Sequence, residues 1–163
     1  MHRLTPYAFP FGINEYLLEK AIGSVPESEA TRRLSPTTNT LRGIAAHLTI
    51  SRHGLCKSLG IEVKDLPWGD IGEMFEAGFK ETPEFPKLET IRSVWKELSA
   101  ALSANLLKVT DAALDRPSPF PLPGKPTATN LDFAALAVVH EGYHIGQLGL
   151  IVKSITGKAI MNP

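Results

Sequence analysis

The stretch Val139-His140-Glu141-Gly142-Tyr143-His144-Ile145-Gly146-Gln147-Leu148 places two histidines four residues apart near the end of the chain. On an α-helix this spacing puts both rings on one face, about 6 Å apart along the axis. Neutral imidazole nitrogens bind divalent ions at about 2.0–2.1 Å, so both rings can bind the same ion. The flanking residues are largely apolar. The stretch therefore predicts a buried helix that supplies two ligands to a metal site.

His140 to His144 also spell H-E-x-x-H, the zinc-protease pattern in which the glutamate activates a metal-bound water. Those enzymes take their third ligand from downstream. The extended pattern needs a glycine where this chain has Gln147, and it also needs a later histidine. No Asp, Glu or His lies between Ile145 and Pro163. A third protein ligand must therefore come from upstream, and the sequence argues against a protease.

Composition predicts one globular domain, residues 1–163, because 43% of the residues are hydrophobic. Lys plus Arg equals Asp plus Glu at 17 each, which points to neither nucleic acid nor an anionic membrane as partner. The single cysteine, Cys56, excludes an internal disulfide and fits a reducing compartment. The N-terminus lacks the apolar run of a signal peptide, and no segment is long enough to span a bilayer. We therefore expect a cytoplasmic protein.

Prolines and apolar spacing divide the first part of the chain. We expect residues 1–11 to be an irregular arm, because two prolines interrupt them. Apolar residues at helical spacing predict a first helix from Ile13. The cluster of capping residues at 35–39 predicts the start of a second helix, which runs to about Gly60 as its C-terminal cap.

The rest of the chain predicts two more long helices. Residues 61–86 form a long connection with a short helical piece near 70–80. The clearest apolar stripe lies in 88–109, and residues 115–129 are a proline-rich loop. A fourth helix, residues 130–156, follows the capping residues Thr129 and Asn130. Since no segment alternates as a strand does, the sequence predicts an all-α four-helix bundle with a long connection between helices 2 and 3.

Helical geometry selects the third ligand among the remaining histidines. His2 lies in the arm and is expected to be disordered. His53 follows His47 by six positions, which turns it roughly 240° away on the same helix, so both cannot point inward. His47 lies among apolar residues near the middle of the second helix, as His140 and His144 do in the fourth. Bundle metal sites are built from such facing helices, so we predict His47 as the third ligand.

Ala45-Ala46-His47-Leu48-Thr49, together with the run from His140 to Gln147, resembles the DinB-like (DinB/YfiT-like) superfamily. The resemblance covers nearly the whole domain. It implies a four-helix bundle in which His47, His140 and His144 hold a divalent metal, often zinc or nickel, and a homodimer. Members include thiol-dependent S-transferases and isomerases, and hydrolases. Glu141 is not a fixed feature of the family pattern.

Three neutral imidazoles leave a divalent ion its full charge and at least one open position, which is typical of catalytic sites. A water bound there has its pKa lowered to about 7, and a bound low-molecular-weight thiol is held as thiolate. We therefore expect a metal-dependent enzyme with a small-molecule substrate. The ligands do not choose between the two reactions, and the resemblance to the family places thiol transfer or isomerisation ahead of hydrolysis. The alternatives are a metal-binding or sensing bundle without turnover, and unmetallated core histidines.

Other residues near the ligands are candidates for catalysis or for lining a pocket. Tyr143 and Gln147 can orient a ring or hold a substrate, although Tyr143 is equally explained by core packing. Glu141 is turned about 100° from the metal face, so we expect a solvated or interface carboxylate rather than a catalytic one. Further candidates for the pocket are Ser51, Trp68 and Phe133.

The face of the fourth helix opposite the histidines carries small residues. They are Ala135, Val138, Gly142, Gly146 and Gly149. A glycine inside a helix costs about 0.8–1.0 kcal/mol relative to alanine, so three of them favour close approach of another helix. We expect either a bundle neighbour or a second subunit to cover this stripe.

Overall fold

The structure is a computed structural model that describes residues 1–69 and 85–161. Four long helices form the fold: α1 (Thr5–Ser24), α2 (Leu41–Ser58), α3 (Leu88–Asn105) and α5 (Asn130–Thr156). A short helix, α4 (Asp111–Leu114), and 3-10 turns at Glu27–Glu29 and Leu106–Lys108 complete the helical elements of the described residues. No β-strand occurs in these two ranges, which confirms the predicted all-α four-helix bundle. The helical piece expected near residues 70–80 lies outside them.

The two helices that carry the candidate ligands have well-defined ends. Thr129 and Asp132 form a capping box at the start of α5, and Gly157, with φ +74°, ends it. The Thr40 side chain accepts a hydrogen bond from the Gly43 amide at the start of α2. The end of α2 and both ends of α5 agree with the sequence prediction, whereas α2 begins at Leu41, after the predicted capping cluster at 35–39. None of the helices in residues 1–69 and 85–161 combines the length and apolar character needed to cross a bilayer.

The first helix begins eight residues earlier than predicted. Pro6 lies in its first turn, where a missing amide hydrogen costs nothing, and Pro10 lies inside it. A proline inside a helix costs about 3 kcal/mol, but burial of Leu4 and Phe11 contributes roughly 1.5–3 kcal/mol each. The expected irregular arm is therefore wrong. His2 is not disordered either, because its Nε2 donates to a backbone carbonyl, that of Val109, at 2.7 Å.

Two clusters of buried apolar residues fix the direction of each helix. One cluster joins the first turns of α1 and α5 to the last turns of α2 and α3; its members include Leu4, Phe11, Phe133, Ala137, Leu55, Leu59, Leu102 and Leu106. The other joins the opposite ends. Hence α1 and α5 run one way and α2 and α3 the other. Because α2 and α5 pack as antiparallel neighbours, their midpoints face each other.

A buried ion pair lies at the centre of the bundle. The Arg52 Nε and Nη2 donate to the two carboxylate oxygens of Glu141 at 2.8 and 2.6 Å, and each side chain is only 1% exposed. Arg52 Nη1 donates to Ser99 at 2.6 Å, and its guanidinium lies 3.7 Å from the ring centroid of Trp95. Asn14 donates to Glu141 at 3.1 Å. All four long helices therefore meet at this pair.

The small-residue stripe of α5 is covered only in part. Gly149 packs against Ile160, and Val138 is partly buried. Gly142 and Gly146 are exposed, and a Cβ built on either meets no described atom within 4 Å. No bundle neighbour among residues 1–69 and 85–161 therefore covers these two glycines, and cover by a second subunit stays a prediction.

We expect Arg52→Met to lower the free energy of unfolding by about 3–5 kcal/mol, because it leaves the Glu141 carboxylate buried without its partner. Urea unfolding of the metal-free protein measures this loss. Asp65→Ala is the control: Asp65 pairs with Lys57 at 2.8 Å on the surface, and its loss should leave the urea midpoint unchanged. Equal midpoints for Arg52→Met and the parent chain would contradict the role of the buried pair.

Candidate metal centre

Three histidines from two helices converge on the side of the bundle where α2 packs against α5. The Nε2 atoms of His47 and His140 lie 2.9 Å apart. The ring centroids of His47, His140 and His144 are separated by 4.6 to 4.8 Å, and each pair of rings packs edge to face. One ligand nitrogen from each ring lies within 4.8 Å of the other two. The structure thus brings together the three residues that helical geometry selected.

Burial keeps these imidazoles uncharged at neutral pH. It lowers the pKa of His47 from 6.5 to about 4, with a further lowering from the neighbouring His140 and His144 rings. Burial and the His144 ring lower the pKa of His140 to about 4 as well. The pKa of His144 is also lowered by burial, although its bond to Gln147 opposes the shift. Since only an unprotonated imidazole nitrogen binds metal, the cluster is in its ligating form at neutral pH.

Gln147 determines the tautomer of His144. The Nδ1 of His144 and the Oε1 of Gln147 are 2.8 Å apart. A carbonyl oxygen only accepts, so Nδ1 carries the hydrogen and Nε2 keeps the lone pair that a metal needs. The Gln147 side chain thereby contacts one of the candidate ligands, and its support of metal binding stays a prediction.

The donor set fits a divalent ion. Two nitrogens that bind one tetrahedral ion at about 2.0–2.1 Å lie about 3.3 Å apart. The Nε2 atoms of His47 and His140 are 2.9 Å apart, and the ligand nitrogens of all three rings lie within 4.8 Å of one another. Within residues 1–69 and 85–161, the cluster of potential ligands contains the three histidines alone. All three are partly exposed rather than sealed in the core. Three protein ligands with access to solvent are typical of catalytic metal sites.

Glu141 has a different place from the one the sequence suggested. It is 1% exposed, and both carboxylate oxygens are bonded to Arg52. The expectation of a solvated or interface carboxylate is therefore wrong. The physical reason is the neutralising charge of Arg52, which allows the carboxylate to be buried. Because its oxygens face the core and are occupied, Glu141 has no oxygen free to act as the base that H-E-x-x-H proteases require.

Tyr143 lies at the edge of the histidine cluster. Its side chain is 65% exposed, so the alternative that it packs in the core is wrong. Its ring packs edge to face against His144, with 5.1 Å between the centroids. A phenol in this position is open to a molecule that approaches the histidines.

The three residues predicted to line a pocket, Ser51, Trp68 and Phe133, are all at least partly buried. Ser51 is partly buried one turn after His47, and Trp68 packs against the core cluster that includes Leu48. Phe133 is buried in the other core cluster and pairs with Phe120, with 4.9 Å between the ring centroids. The contacts of Trp68 and Phe133 assign these two to packing, and for all three candidates a role in lining a pocket stays a prediction.

Two other potential ligands lie outside the cluster. His53 bonds to the Lys64 carbonyl at 3.1 Å, as its position on the far side of α2 predicts. Cys56 is fully buried, and burial raises the pKa of its thiol to about 12, so it stays protonated. Neither residue offers a ligand atom to the three histidines.

The sequence analysis missed Arg52 and the polar residues around it. Arg52 lies at the spacing of Leu48, Leu55 and Leu59, which makes it a single charge on the apolar stripe of α2. Glu141 is likewise a single charge on the apolar stripe of α5. Two opposite charges on the buried faces of different helices are the signal that could have identified the pair.

The fold and the site together define a helical bundle with a candidate three-histidine metal centre between two antiparallel helices. A sequence model of the DinB superfamily matches residues 13–148, which is most of the chain. The chain therefore belongs to the DinB superfamily. No curated protein matches it.

We expect Gln147→Ala to weaken zinc binding by about 10–100-fold, because the His144 ring loses the acceptor that holds its tautomer. Gln147→Glu keeps an acceptor oxygen at the same position and should retain most of the affinity. Competition with a chromophoric chelator measures both constants. Equal affinity in Gln147→Ala and the parent chain would show that the hydrogen bond does not support ligation.

We expect the free energy of unfolding of the metal-free protein to fall as the pH is lowered from about 6.5 to about 4. The unfolded chain takes up protons near pH 6.5, whereas folded His47 and His140 take them up only near pH 4, so acid favours unfolding. Urea unfolding at several pH values in this range gives the free energy of unfolding at each pH. This free energy should depend less steeply on pH in His140→Gln than in the parent chain. His53→Gln, outside the cluster, should keep the parent slope, and equal slopes for all three proteins would contradict the shifted pKa values.

Proposed function

We propose that this chain is a divalent-metal-dependent enzyme in which His47, His140 and His144 hold zinc or nickel. The observation that carries the proposal is the partly exposed cluster of three uncharged imidazoles with no fourth protein ligand in residues 1–69 and 85–161. Imidazole ligands suit several divalent metals, and the family resemblance favours zinc or nickel. A bound ion supplies a Lewis acid that lowers the pKa of a water or a thiol entering its open position.

The residues of this chain hold and orient the reacting groups. His47 on α2 and the two histidines of α5 present their ligand nitrogens from opposite sides of the helix interface. Gln147 fixes the orientation of His144 through its bond to Nδ1. Tyr143, exposed beside His144, is our candidate for a hydrogen bond to the substrate.

Of the two reaction types, we place group transfer or isomerisation with a low-molecular-weight thiol ahead of hydrolysis. A hydrolase of the H-E-x-x-H type needs a carboxylate base beside the attacking water, and Glu141 is bonded to Arg52 in the core. A thiol that has lost its proton is itself the nucleophile and needs no such base. Hydrolysis with another base, outside the described contacts, is the second choice.

A non-catalytic metal-binding or sensing role is the alternative from another class. The ligands come from two different helices, so binding one ion ties α2 to α5. A change in metal occupancy would then change how firmly these helices pack. Such coupling suits a sensor, and tight metal binding without any turnover would identify it.

We also propose a homodimer that uses the outer surface of α1 and α5. Five exposed apolar side chains form this surface: Phe9, Ile13 and Tyr16 on α1, and Val139 and Leu150 on α5. By helical spacing each set lies on the outward side of its helix, next to the uncovered Gly142 and Gly146. A second copy of the chain would cover these side chains, and a group of exposed apolar residues is typical of an interaction surface.

The test of the function is turnover by the metal-loaded protein. With zinc or nickel bound, we expect conjugation of a low-molecular-weight thiol to an aromatic halide, and less hydrolysis of an aryl ester. His47→Ala and His144→Ala should lower turnover on the order of 100-fold or more, since the metal is worth several kcal/mol in the transition state. His53→Ala is the matched control and should keep the parent rate.

Activity that is equal in His47→Ala and the parent chain would place the reaction elsewhere in the molecule. If the chain binds one metal ion but catalyses neither thiol conjugation nor ester hydrolysis, the sensing role is favoured over the enzyme.

The test of the dimer is sedimentation equilibrium. We expect the parent chain to sediment as a dimer and Leu150→Lys to shift it towards the monomer, because a buried lysine without a partner opposes association. Leu107→Lys is the control, since Leu107 is also an exposed leucine but lies after α3, outside the proposed surface. A monomeric parent chain would contradict the proposal.

A further inference from the structure

The buried pair of Arg52 and Glu141 at the centre of the bundle lies close to the candidate ligands in sequence. Glu141 directly follows His140 on α5. Arg52 follows His47 by five residues on α2, about 7.5 Å along the axis. Side chains on a helix lean towards its N-terminus, so the long Arg52 side chain reaches back towards the level of His47. The same two helices are thus joined twice, by the ion pair and by the histidines.

We infer that Arg52 and Glu141 are positioning residues for the histidine cluster: their ion pair fixes how α2 lies against α5, so that His47 meets His140 and His144. The inference rests on the proposed metal site for its role in ligand binding. Its structural content, that the pair sets the spacing of the histidines, stands on the contacts alone.

The geometry of the pair suits this role. Arg52 contacts Glu141 through two bonds, 2.8 and 2.6 Å long, and such a fork constrains both sliding and rotation of one helix against the other. The third guanidinium nitrogen of Arg52 donates a hydrogen bond to Ser99, and Asn14 donates one to a carboxylate oxygen of Glu141. Apolar contacts around the pair have no directional preference, so they permit small slides that the fork does not.

Stability alone does not account for an ion pair at this place. Replacing a buried pair with apolar residues of similar volume is often neutral or stabilising, whereas the best-attested use of buried polar groups is to specify one register. A metal site needs that specification, because ligand distances must be correct within about 0.2 Å. If α2 slid along α5, the apolar residues would stay buried, but the histidine nitrogens would no longer lie at the distances that one metal ion needs.

The test removes both charges at once. The double variant Arg52→Met/Glu141→Met leaves no unpaired charge, and Asn14 keeps the Val138 carbonyl as an acceptor, at 3.3 Å. We expect it to fold with a urea midpoint near that of the parent chain and to bind zinc about 10–100-fold more weakly. Leu102→Ala is the matched control, since Leu102 on α3 is buried in the core of the bundle. The cavity that it opens should lower the urea midpoint and leave the zinc dissociation constant unchanged.

A zinc dissociation constant in the double variant equal to that of the parent chain would overturn the inference. If the double variant does not fold, Arg52→Lys replaces it, since lysine keeps the charge and loses the fork. Weaker zinc binding by Arg52→Lys supports the positioning role, and unchanged binding contradicts it.

A second readout does not depend on metal. Crystal structures of the metal-free parent chain and double variant should show the Nε2 atoms of His47 and His140 at hydrogen-bonding distance in the parent only. The same separation in both would overturn the inference. A parent chain that binds no zinc would end the proposed function, and this comparison would still decide whether the pair positions the histidines.

Discussion

Arg52 and Glu141 are buried at the point where all four long helices meet, and their contact constrains the rest of the molecule. Each charge in the core is tolerated only because the other is within hydrogen-bonding distance. Ser99 on α3 and Asn14 on α1 complete their hydrogen bonds. An arrangement of the helices that separated the two charges would leave both desolvated and unpaired. The native packing is therefore specified by polar contacts at its centre as well as by apolar burial on either side.

The histidine cluster and the ion pair use the same helix interface in opposite electrostatic ways. In the core, Arg52 and Glu141 are buried as an ion pair, so each charge is balanced by the other. At the edge of the interface, His47, His140 and His144 lose charge through burial, and their nitrogens stay available as ligands. One residue step on α5, a turn of about 100°, separates the two environments.

That turn explains why H-E-x-x-H has a different meaning here from the one it has in a zinc protease. The letters of the pattern place Glu141 beside two ligands in sequence, but its partner decides which way the carboxylate faces. Arg52 on α2 takes both of its oxygens. The two histidines of the pattern therefore remain candidate ligands, whereas its glutamate is not placed to act as the base.

Helical spacing predicted much of this structure, and its errors share one cause. The bounds of α5 and the end of α2 followed from local capping, and the three histidines followed from counting angles along single helices. The start of α1 was missed because burial of Leu4 and Phe11 outweighs the local effect of prolines. Glu141 was misplaced because its partner Arg52 is 89 residues away in sequence. Contacts between distant segments are what periodicity on one helix does not contain.

The metal content of the protein tests the central claim most directly. The chain should be purified without an affinity tag and analysed by elemental mass spectrometry, beside His47→Ala, His144→Ala and His53→Ala. The account predicts close to one zinc or nickel ion per chain in the parent protein and in His53→Ala, and little in the other two variants. A parent chain that holds neither metal, even after both are added, would contradict the account, as would equal metal content in all four proteins.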